Sequence, residues 1–152
     1  MSLDGDVRQL SGVRPFQALP REALQLLAFS CEKRTLRAGE ALFSEGEAAD
    51  SAYFVLEGEI VLRRGETERR AGPGALIGET ALFTETRRPA DASAACDSLL
   101  LRAPGVTFRR VLSEFPHSAA AIRADAAERA GALLGRLEAL RRRAFAGPPG
   151  GG

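Results

Sequence analysis

The chain has few of the side chains that enzymes use for metal binding and nucleophilic catalysis. Its 152 residues include one histidine, His117, and two cysteines, Cys31 and Cys96. A metal-dependent enzyme of the cupin type needs several histidines, and Ser-His-Asp or Cys-His catalysis needs one beside the nucleophile. The cysteines form neither a CxxC pair nor a metal-ligand spacing, so we expect buried or half-buried free thiols, with a redox switch as the alternative. We therefore expect a protein that is not an enzyme and that has neither a catalytic residue nor a metal site.

The chain also lacks a charge surplus and a long hydrophobic run. The formal net charge is +1, which gives no basic surface for nucleic acid or an anionic membrane. No apolar stretch approaches the length that spans a bilayer, and the opening residues MSLDGDVRQL lack the apolar centre of a signal peptide. Hydrophobic residues make up 45%, enough for the core of one domain. We expect a cytoplasmic protein that binds neither nucleic acid nor membrane.

Apolar residues and glycines divide the chain into helical ends and a β-rich centre. Residues 1–30 are predicted to be helical, with a new segment beginning at Pro20. The apolar anchors of that segment are Leu24, Leu26, Leu27 and Phe29. Between residues 31 and 104, short apolar runs separated by glycines are typical of a β-sandwich or barrel. In AYFVLEGEIVLRR, alternation through Gly58 predicts a strand with one buried side, and RRGETERR predicts a hairpin turn.

Residues 105–144 are predicted to be helical again, with a short helix ended by Pro116 and one long helix after it. Apolar residues in the long helix repeat with steps of four and three at Ala126, Ala130, Leu133, Leu137, Leu140 and Ala144. This heptad pattern predicts either a homodimer through residues 126–144 or packing on the chain's own barrel. Residues 145–152 are rich in glycine and proline, and we expect them to be disordered.

Residues 72–95, GPGALIGETALFTETRRPADASAA, combine three features of an anion site. Gly78 precedes a short helix-forming run, and the start of a helix leaves backbone N–H groups free to bind an anion. Arg88 follows at the start of the next strand, where a guanidinium can bind two phosphate oxygens. Glu79 supplies an acceptor of the kind that binds a ribose hydroxyl. The residues indicate a pocket for one phosphate and one ribose; a purely structural Glu79–Arg88 ion pair is the alternative.

The same segment resembles the phosphate-binding cassette of the cyclic nucleotide-binding domain family, which includes protein kinase A regulatory subunits, cyclic nucleotide-gated channels and the catabolite activator protein. The cassette pattern is G-E-x-A-L, a short spacer, then Arg followed by a small residue and Ala. Here it runs from Gly78 to Leu82 and continues as Arg88-Pro89-Ala90. The resemblance covers residues 16–115. It implies a mainly β fold with flanking α: a double-stranded β-helix (jelly-roll) barrel with N-terminal helices and a long C-terminal helix.

The resemblance also implies a set of ligand-binding residues: Gly78, Glu79, Thr80, Ala81, Arg88, Pro89 and Ala90. Glu79 would accept from the ribose 2′-hydroxyl, Arg88 would bind the cyclic phosphate, and the N–H groups of Gly78 and Ala81 would face the ligand. The expected ligand is cyclic AMP, with cyclic GMP as the alternative, because Pro89 has no hydroxyl to bind guanine. Binding would move the helical lid and the C-terminal helix, and so act on an effector protein.

Two positions depart from the family pattern. Pro89 has no backbone N–H to offer the phosphate, and Asp91 would repel the phosphate if it faced the pocket. A degenerate module that binds no nucleotide is therefore one alternative to a sensor. The other is a fragment of a catabolite activator-type transcription regulator, since the chain ends in AGPPGGG about where a helix-turn-helix domain would begin.

Overall fold

Two helices precede the β-rich centre and pack against it. The computed structural model describes the backbone of residues 3–146 and the side chains of residues 4–142; α1 spans Leu3–Ser11, a 3-10 turn spans Phe16–Ala18 and α2 spans Arg21–Ser30. The buried face of α2 consists of Ala23, Leu24, Leu27 and Ala28. Leu26 and Phe29, which the sequence predicted as anchors, are exposed. The helical period explains this, because a helix that buries positions 24 and 27 turns positions 26 and 29 away.

Ten strands in the described part of the chain form two four-stranded antiparallel sheets and a short pair. They are β1 (Glu32–Leu36), β2 (Ala41–Phe43), β3 (Ala48–Ala49), β4 (Ser51–Glu57), β5 (Ile60–Arg64), β6 (Thr67–Ala71), β7 (Leu76–Ile77), β8 (Thr86–Arg87), β9 (Asp91–Ala94) and β10 (Ser98–Pro104). The first sheet has the order β1-β10-β4-β7, the second has the order β2-β9-β5-β6, and β3 pairs with β8. Val55 and Leu100 of the first sheet share one apolar cluster with Phe43 and Ile60 of the second. The predicted jelly-roll with flanking helices is confirmed.

Gly58 divides the central apolar run into two strands. The sequence predicted one strand with a single buried side, whereas β4 ends at Glu57 and β5 begins at Ile60 in the other sheet. β4 is buried on both faces, because the first sheet packs on the second sheet on one side and on helices on the other. Gly58 has φ +93°, and a Cβ there would collide with the Ser98 side chain, so this turn requires glycine. The hairpin predicted in RRGETERR is confirmed between β5 and β6.

Three helices complete the described fold. A one-turn helix, α3, spans Thr80–Phe83 between β7 and β8, and α4 spans Gly105–Glu114 after the last strand. The buried residues of α4 include Phe108, Val111 and Leu112. Phe108 makes edge-to-face ring contacts with Phe16 and Phe83, so it joins the N-terminal helices to α3.

The last helix, α5, spans Pro116–Ala146 and leaves the core early. It begins at Pro116 itself and continues two residues into the segment predicted as tail; residues 147–152 lie outside the described residues. Ile122 is its last buried residue, and every described side chain from position 130 to position 142 is exposed. No helix within residues 3–146 is long and apolar enough to cross a membrane.

Candidate functional site

The candidate site is built around a sharp turn between β7 and α3. Gly78 occupies this turn with φ +75°, a conformation that favours glycine. A Cβ at Gly78 would lie 2.5 Å from Nη1 of Arg88, so the absent side chain lets the guanidinium approach the backbone. Arg88 is fixed at its own backbone, where its N–H donates to the Glu47 carbonyl and its carbonyl accepts from Gly46 N–H, both at 2.8 Å. Gly78 and Arg88, which are ten positions apart in the chain, thus meet.

A cavity of about 530 Å³ opens beside this turn, here called the Arg88 cavity. Its lining residues are Phe43, Leu62, Arg64, Thr67, Arg69, Leu76, Ile77, Gly78, Glu79, Thr80, Arg88, Pro89 and Ala90. Six of the seven residues expected to bind a ligand are among them. The exception is Ala81, which is buried and whose N–H donates to the Gly78 carbonyl at 3.1 Å inside the α3 turn. The geometry therefore does not present Ala81 to the cavity.

Arg88 is a buried cation that forms no ion pair with a described residue. Its side chain is 5% exposed, and its guanidinium carbon lies 4.3 Å from the ring centre of Phe43 and 5.6 Å from that of Tyr53. Nη2 donates to Ser51 Oγ at 3.4 Å, while Nη1 has no hydrogen-bond partner among the described residues. Burial lowers the pKa of this guanidinium, since it is stripped of water without a carboxylate in ion-pair contact. The arrangement leaves a positive charge to be neutralised from the cavity.

Glu79 is paired, but with a residue that the sequence analysis missed. Its two carboxylate oxygens accept from Arg129 of α5, at 2.7 Å from Nη2 and 3.2 Å from Nη1. Arg129 Nε also lies 3.2 Å from Asp125 Oδ2, one helical turn earlier. The hydrogen bond that Arg129 donates to Glu79 raises the pKa of the Arg129 guanidinium. The Glu79–Arg88 ion pair is thus not formed, and Glu79 instead joins the cassette to the C-terminal helix.

The structure also shows where Pro89 and Asp91, the two departures from the cassette pattern, lie relative to Arg88. Asp91 lies outside the cavity lining, and its Oδ1 accepts from the Glu45 N–H at 2.7 Å, so it does not oppose an anion at Arg88. Arg87 is exposed and donates to the Gly46 carbonyl at 2.8 Å, outside the cavity. Pro89 lines the cavity without an N–H to offer. Arg88 is accordingly the main cation of the cassette.

A second cavity, of about 680 Å³, lies across α3 from the first and shares Glu79 and Thr80 with it. Its other walls are α4 and α5, with Phe83, Leu112 and Leu133 among its apolar residues. Its half-buried arginines are already bound: Arg109 donates to the Leu82 carbonyl at 3.3 Å, and Arg129 holds Glu79. No buried and unpaired cation among its described residues points to a phosphate. We therefore place the candidate anion site in the Arg88 cavity.

Comparison with known proteins identifies the family of this domain. The family model of the cyclic nucleotide-binding domain matches residues 33–115, from β1 to the end of α4. The chain belongs to the cyclic nucleotide-binding domain family. This is a family of regulatory domains, and the match includes the turn at Gly78, α3 and Arg88.

Members of the family with related sequences and structures occur in several bacteria. A cyclic nucleotide-gated potassium channel of Rhizobium etli is 32% identical over 122 residues, which are 80% of this chain and 34% of the channel. A cyclic nucleotide-binding-like protein of Brucella abortus is 41% identical, with a TM-score of 0.65 over 72% of this chain and 99% of that one. The N-terminal domain of a transcriptional regulator of Streptomyces coelicolor is 30% identical, with a TM-score of 0.76 over 85% of this chain and 94% of that domain. The chain spans about a third of the length of two curated potassium channels that it matches.

Proposed function

We propose that the Arg88 cavity binds a cyclic nucleotide and that the chain is a regulatory sensor rather than an enzyme. The observation that carries this proposal is the buried, unpaired guanidinium of Arg88. An unpaired buried charge is costly to a fold, and such costs are concentrated at ligand sites. A cyclic phosphate would supply the missing negative charge, and its two exocyclic oxygens suit the fork of a guanidinium. Gly78, Pro89 and Ala90 would form the walls of this phosphate site.

Glu79 would hold the ribose and report its presence to α5. Each carboxylate oxygen has two lone pairs, so Glu79 can accept from a ribose hydroxyl while it keeps its hydrogen bonds from Arg129. A ligand that orients Glu79 would then favour one position of Arg129 and of the helix that carries it. We propose that α4, as a lid, and α5 shift on binding and transmit the signal to an effector protein in the cytoplasm.

The choice of cyclic AMP over cyclic GMP stays a prediction. It rests on Pro89, which lacks the hydroxyl that would bind guanine.

The test is a calorimetric titration of the refolded, nucleotide-free chain with cyclic AMP and cyclic GMP. We expect micromolar or tighter binding of at least one of them, and loss of that binding in Arg88→Leu. The matched control is Arg87→Leu, since Arg87 is the adjacent arginine and lies outside the cavity. No heat from either nucleotide would refute the proposal and favour the degenerate interaction module. Equal affinities of wild type and Arg88→Leu would refute the assignment of the phosphate site.

We also propose that the occupant of the exposed face of α5 is a second copy of the chain. From position 130 to position 142 every side chain of the helix is exposed, and Leu133, Leu137 and Leu140 are each more than half exposed. A helical segment without tertiary contacts is marginal in water, and a heptad seam of leucines supplies such contacts when two copies pair. Small residues at Ala126 and Ala130 would let the two helices approach closely where they leave the domain.

Sedimentation equilibrium tests the dimer. We expect Leu137→Glu to shift the chain to a monomer, because it places two charges in the seam. Ala139→Glu is the control, since position 139 lies on the opposite side of α5 and is also exposed. A monomeric wild type, or a dimer that Leu137→Glu leaves intact, would refute pairing through residues 126–144.

A further inference from the structure

The polar contacts of Arg88 are too weak to fix the direction of its guanidinium. Its one side-chain hydrogen bond to a described residue runs from Nη2 to Ser51 Oγ and is long, at 3.4 Å. Asp50, the acidic residue next to Ser51, pairs with Arg102 at 3.4 Å instead of with Arg88. Nη1 has no hydrogen-bond partner among the described residues. Another kind of contact must therefore hold the guanidinium.

Two aromatic rings supply that contact. The guanidinium carbon of Arg88 lies 4.3 Å from the ring centre of Phe43 and 5.6 Å from that of Tyr53, both within the range of a cation–π interaction. The two ring centres are 6.2 Å apart and the ring planes are inclined by 35°, so the rings form one aromatic wall against the cation. Both rings are buried, and a cation–π contact is strongest where water is excluded.

Tyr53 differs from Phe43 because it does not reach the Arg88 cavity. Phe43 is among the residues that line the cavity, and Tyr53 is not. The hydroxyl of Tyr53 accepts from Arg34 Nη1 at 3.2 Å, and the guanidinium carbon of Arg34 lies 5.9 Å from the Tyr53 ring centre. Tyr53 is thus anchored by its burial and by Arg34 of β1. A ligand in the cavity would not touch this ring, so an effect of the ring on binding would pass through Arg88.

The two terminal nitrogens of Arg88 are unequal in this arrangement. Nη1 lies against the turn at Gly78 without a partner, whereas Nη2 is shared with Ser51. In the proposed function, on which this step rests, the two exocyclic oxygens of a cyclic phosphate would meet unequal donors for as long as the guanidinium keeps its orientation. We infer that Tyr53 is a positioning residue: its ring holds the Arg88 guanidinium in one orientation, and the site therefore distinguishes the two exocyclic oxygens of its ligand.

The experiment measures the dissociation constants of the Rp and Sp phosphorothioates of cyclic AMP and of cyclic GMP on the refolded, nucleotide-free chain. Each diastereomer places sulfur, a weaker acceptor than oxygen, at one of the two exocyclic positions. We expect wild type to bind one diastereomer about 10-fold more tightly than the other, which is the value of one hydrogen bond to a charged group. Tyr53→Leu should reduce this ratio to about twofold or less, because the guanidinium can then turn either nitrogen to the ligand. Tyr53→Phe keeps the ring and should retain the ratio.

Phe54→Leu is the matched control. Phe54 is the next residue of β4, is also buried, and belongs to the apolar cluster on the other side of the sheet. The variant should have a lower Tm and the wild-type ratio, because both diastereomers are measured on the same protein and a loss of stability affects them equally. Tyr53→Met carries the same expectation as Tyr53→Leu if the leucine variant does not fold.

Three results would overturn the inference and leave the proposed function standing. They are equal binding of the two diastereomers by wild type, an unchanged ratio in the variants that lack the Tyr53 ring, and loss of the ratio in Tyr53→Phe or Phe54→Leu as well. Binding of neither the cyclic nucleotides nor their phosphorothioates by wild type would refute the proposed function and the inference together.

Discussion

Replacing Arg88 with methionine should stabilise the ligand-free protein while it abolishes nucleotide binding. Methionine keeps an unbranched stem against Phe43 and Tyr53 and removes the buried charge. Leaving a buried donor such as Nη1 without a partner costs about 2 kcal/mol, and the lost contacts with the two rings offset about 1 kcal/mol of that. The net gain is about 1 kcal/mol, or roughly 3 °C in Tm for a chain of this size.

The assay is thermal unfolding of refolded, nucleotide-free wild type and Arg88→Met, followed by circular dichroism and repeated with added cyclic nucleotide. Nucleotide should raise the Tm of wild type and leave that of the variant unchanged. The variant should therefore have the higher Tm without nucleotide, and wild type the higher Tm with it. A ligand-free Arg88→Met that melts about 3 °C or more below wild type would refute the reasoning. Arg88 would then be a structural residue whose contacts with Ser51 and the rings exceed the cost of its burial.

Three further predictions concern the turn, the ribose site and the thiols. Gly78→Ala should lower the free energy of unfolding by about 1–2 kcal/mol in urea titrations, because it forces a side chain into a left-handed conformation against Arg88; unchanged stability would contradict it. Glu79→Ala should weaken nucleotide binding in calorimetry, but less than Arg88→Leu, and an equal or larger loss would contradict the assigned roles. Burial and, to a smaller extent, the charge of Asp6 raise the pKa of Cys31 from its ordinary 9.0 to about 12. At pH 8 a thiol reagent should therefore label the exposed Cys96 and spare Cys31, and equal labelling of the two would contradict this prediction.

The sign of the Cys31 effect also sets a pH dependence. A thiol whose pKa is higher in the fold than in the unfolded chain favours the fold while it is protonated. That contribution is complete below about pH 9 and is lost as the pH rises toward 12. Through this group, stability should therefore not vary with pH near neutrality, and Cys31→Ala should flatten only the alkaline limb of the plot of stability against pH.

The cassette could be predicted from the sequence because its parts are close together in the chain. Gly78, the helix-forming run and Arg88 lie within eleven residues, and each has a local reason for its identity: a left-handed turn, a helix start and, in the proposed function, a guanidinium that binds the phosphate. The partner of Glu79 could not be found this way, since Arg129 is fifty positions later. Its one local sign, the Asp125–Arg129 spacing of four, is common on exposed helices.

Two other features depend on geometry that the pattern does not contain. Gly58 falls in register with the alternating apolar residues around it, so the run reads as one strand, and only the crowding against Ser98 explains the turn. The segment RRGETERR has arginine pairs on both sides of its turn. Which member of each pair faces inward is decided by a register in which Arg64 meets Thr67, and a shift of one residue would exchange them.

The length of α5 beyond Arg129 has a mechanical consequence. The helix ends at Ala146, seventeen positions after Arg129, which is a rise of about 26 Å at the usual 1.5 Å per residue. A tilt of about 10° about the Glu79 contact would carry that end about 4–5 Å sideways, although neither carboxylate nor guanidinium moved by more than a fraction of this. In the proposed function, the Glu79–Arg129 ion pair would be the pivot of α5, and a change too small to reshape the barrel would displace the helix end by a distance that a partner would detect.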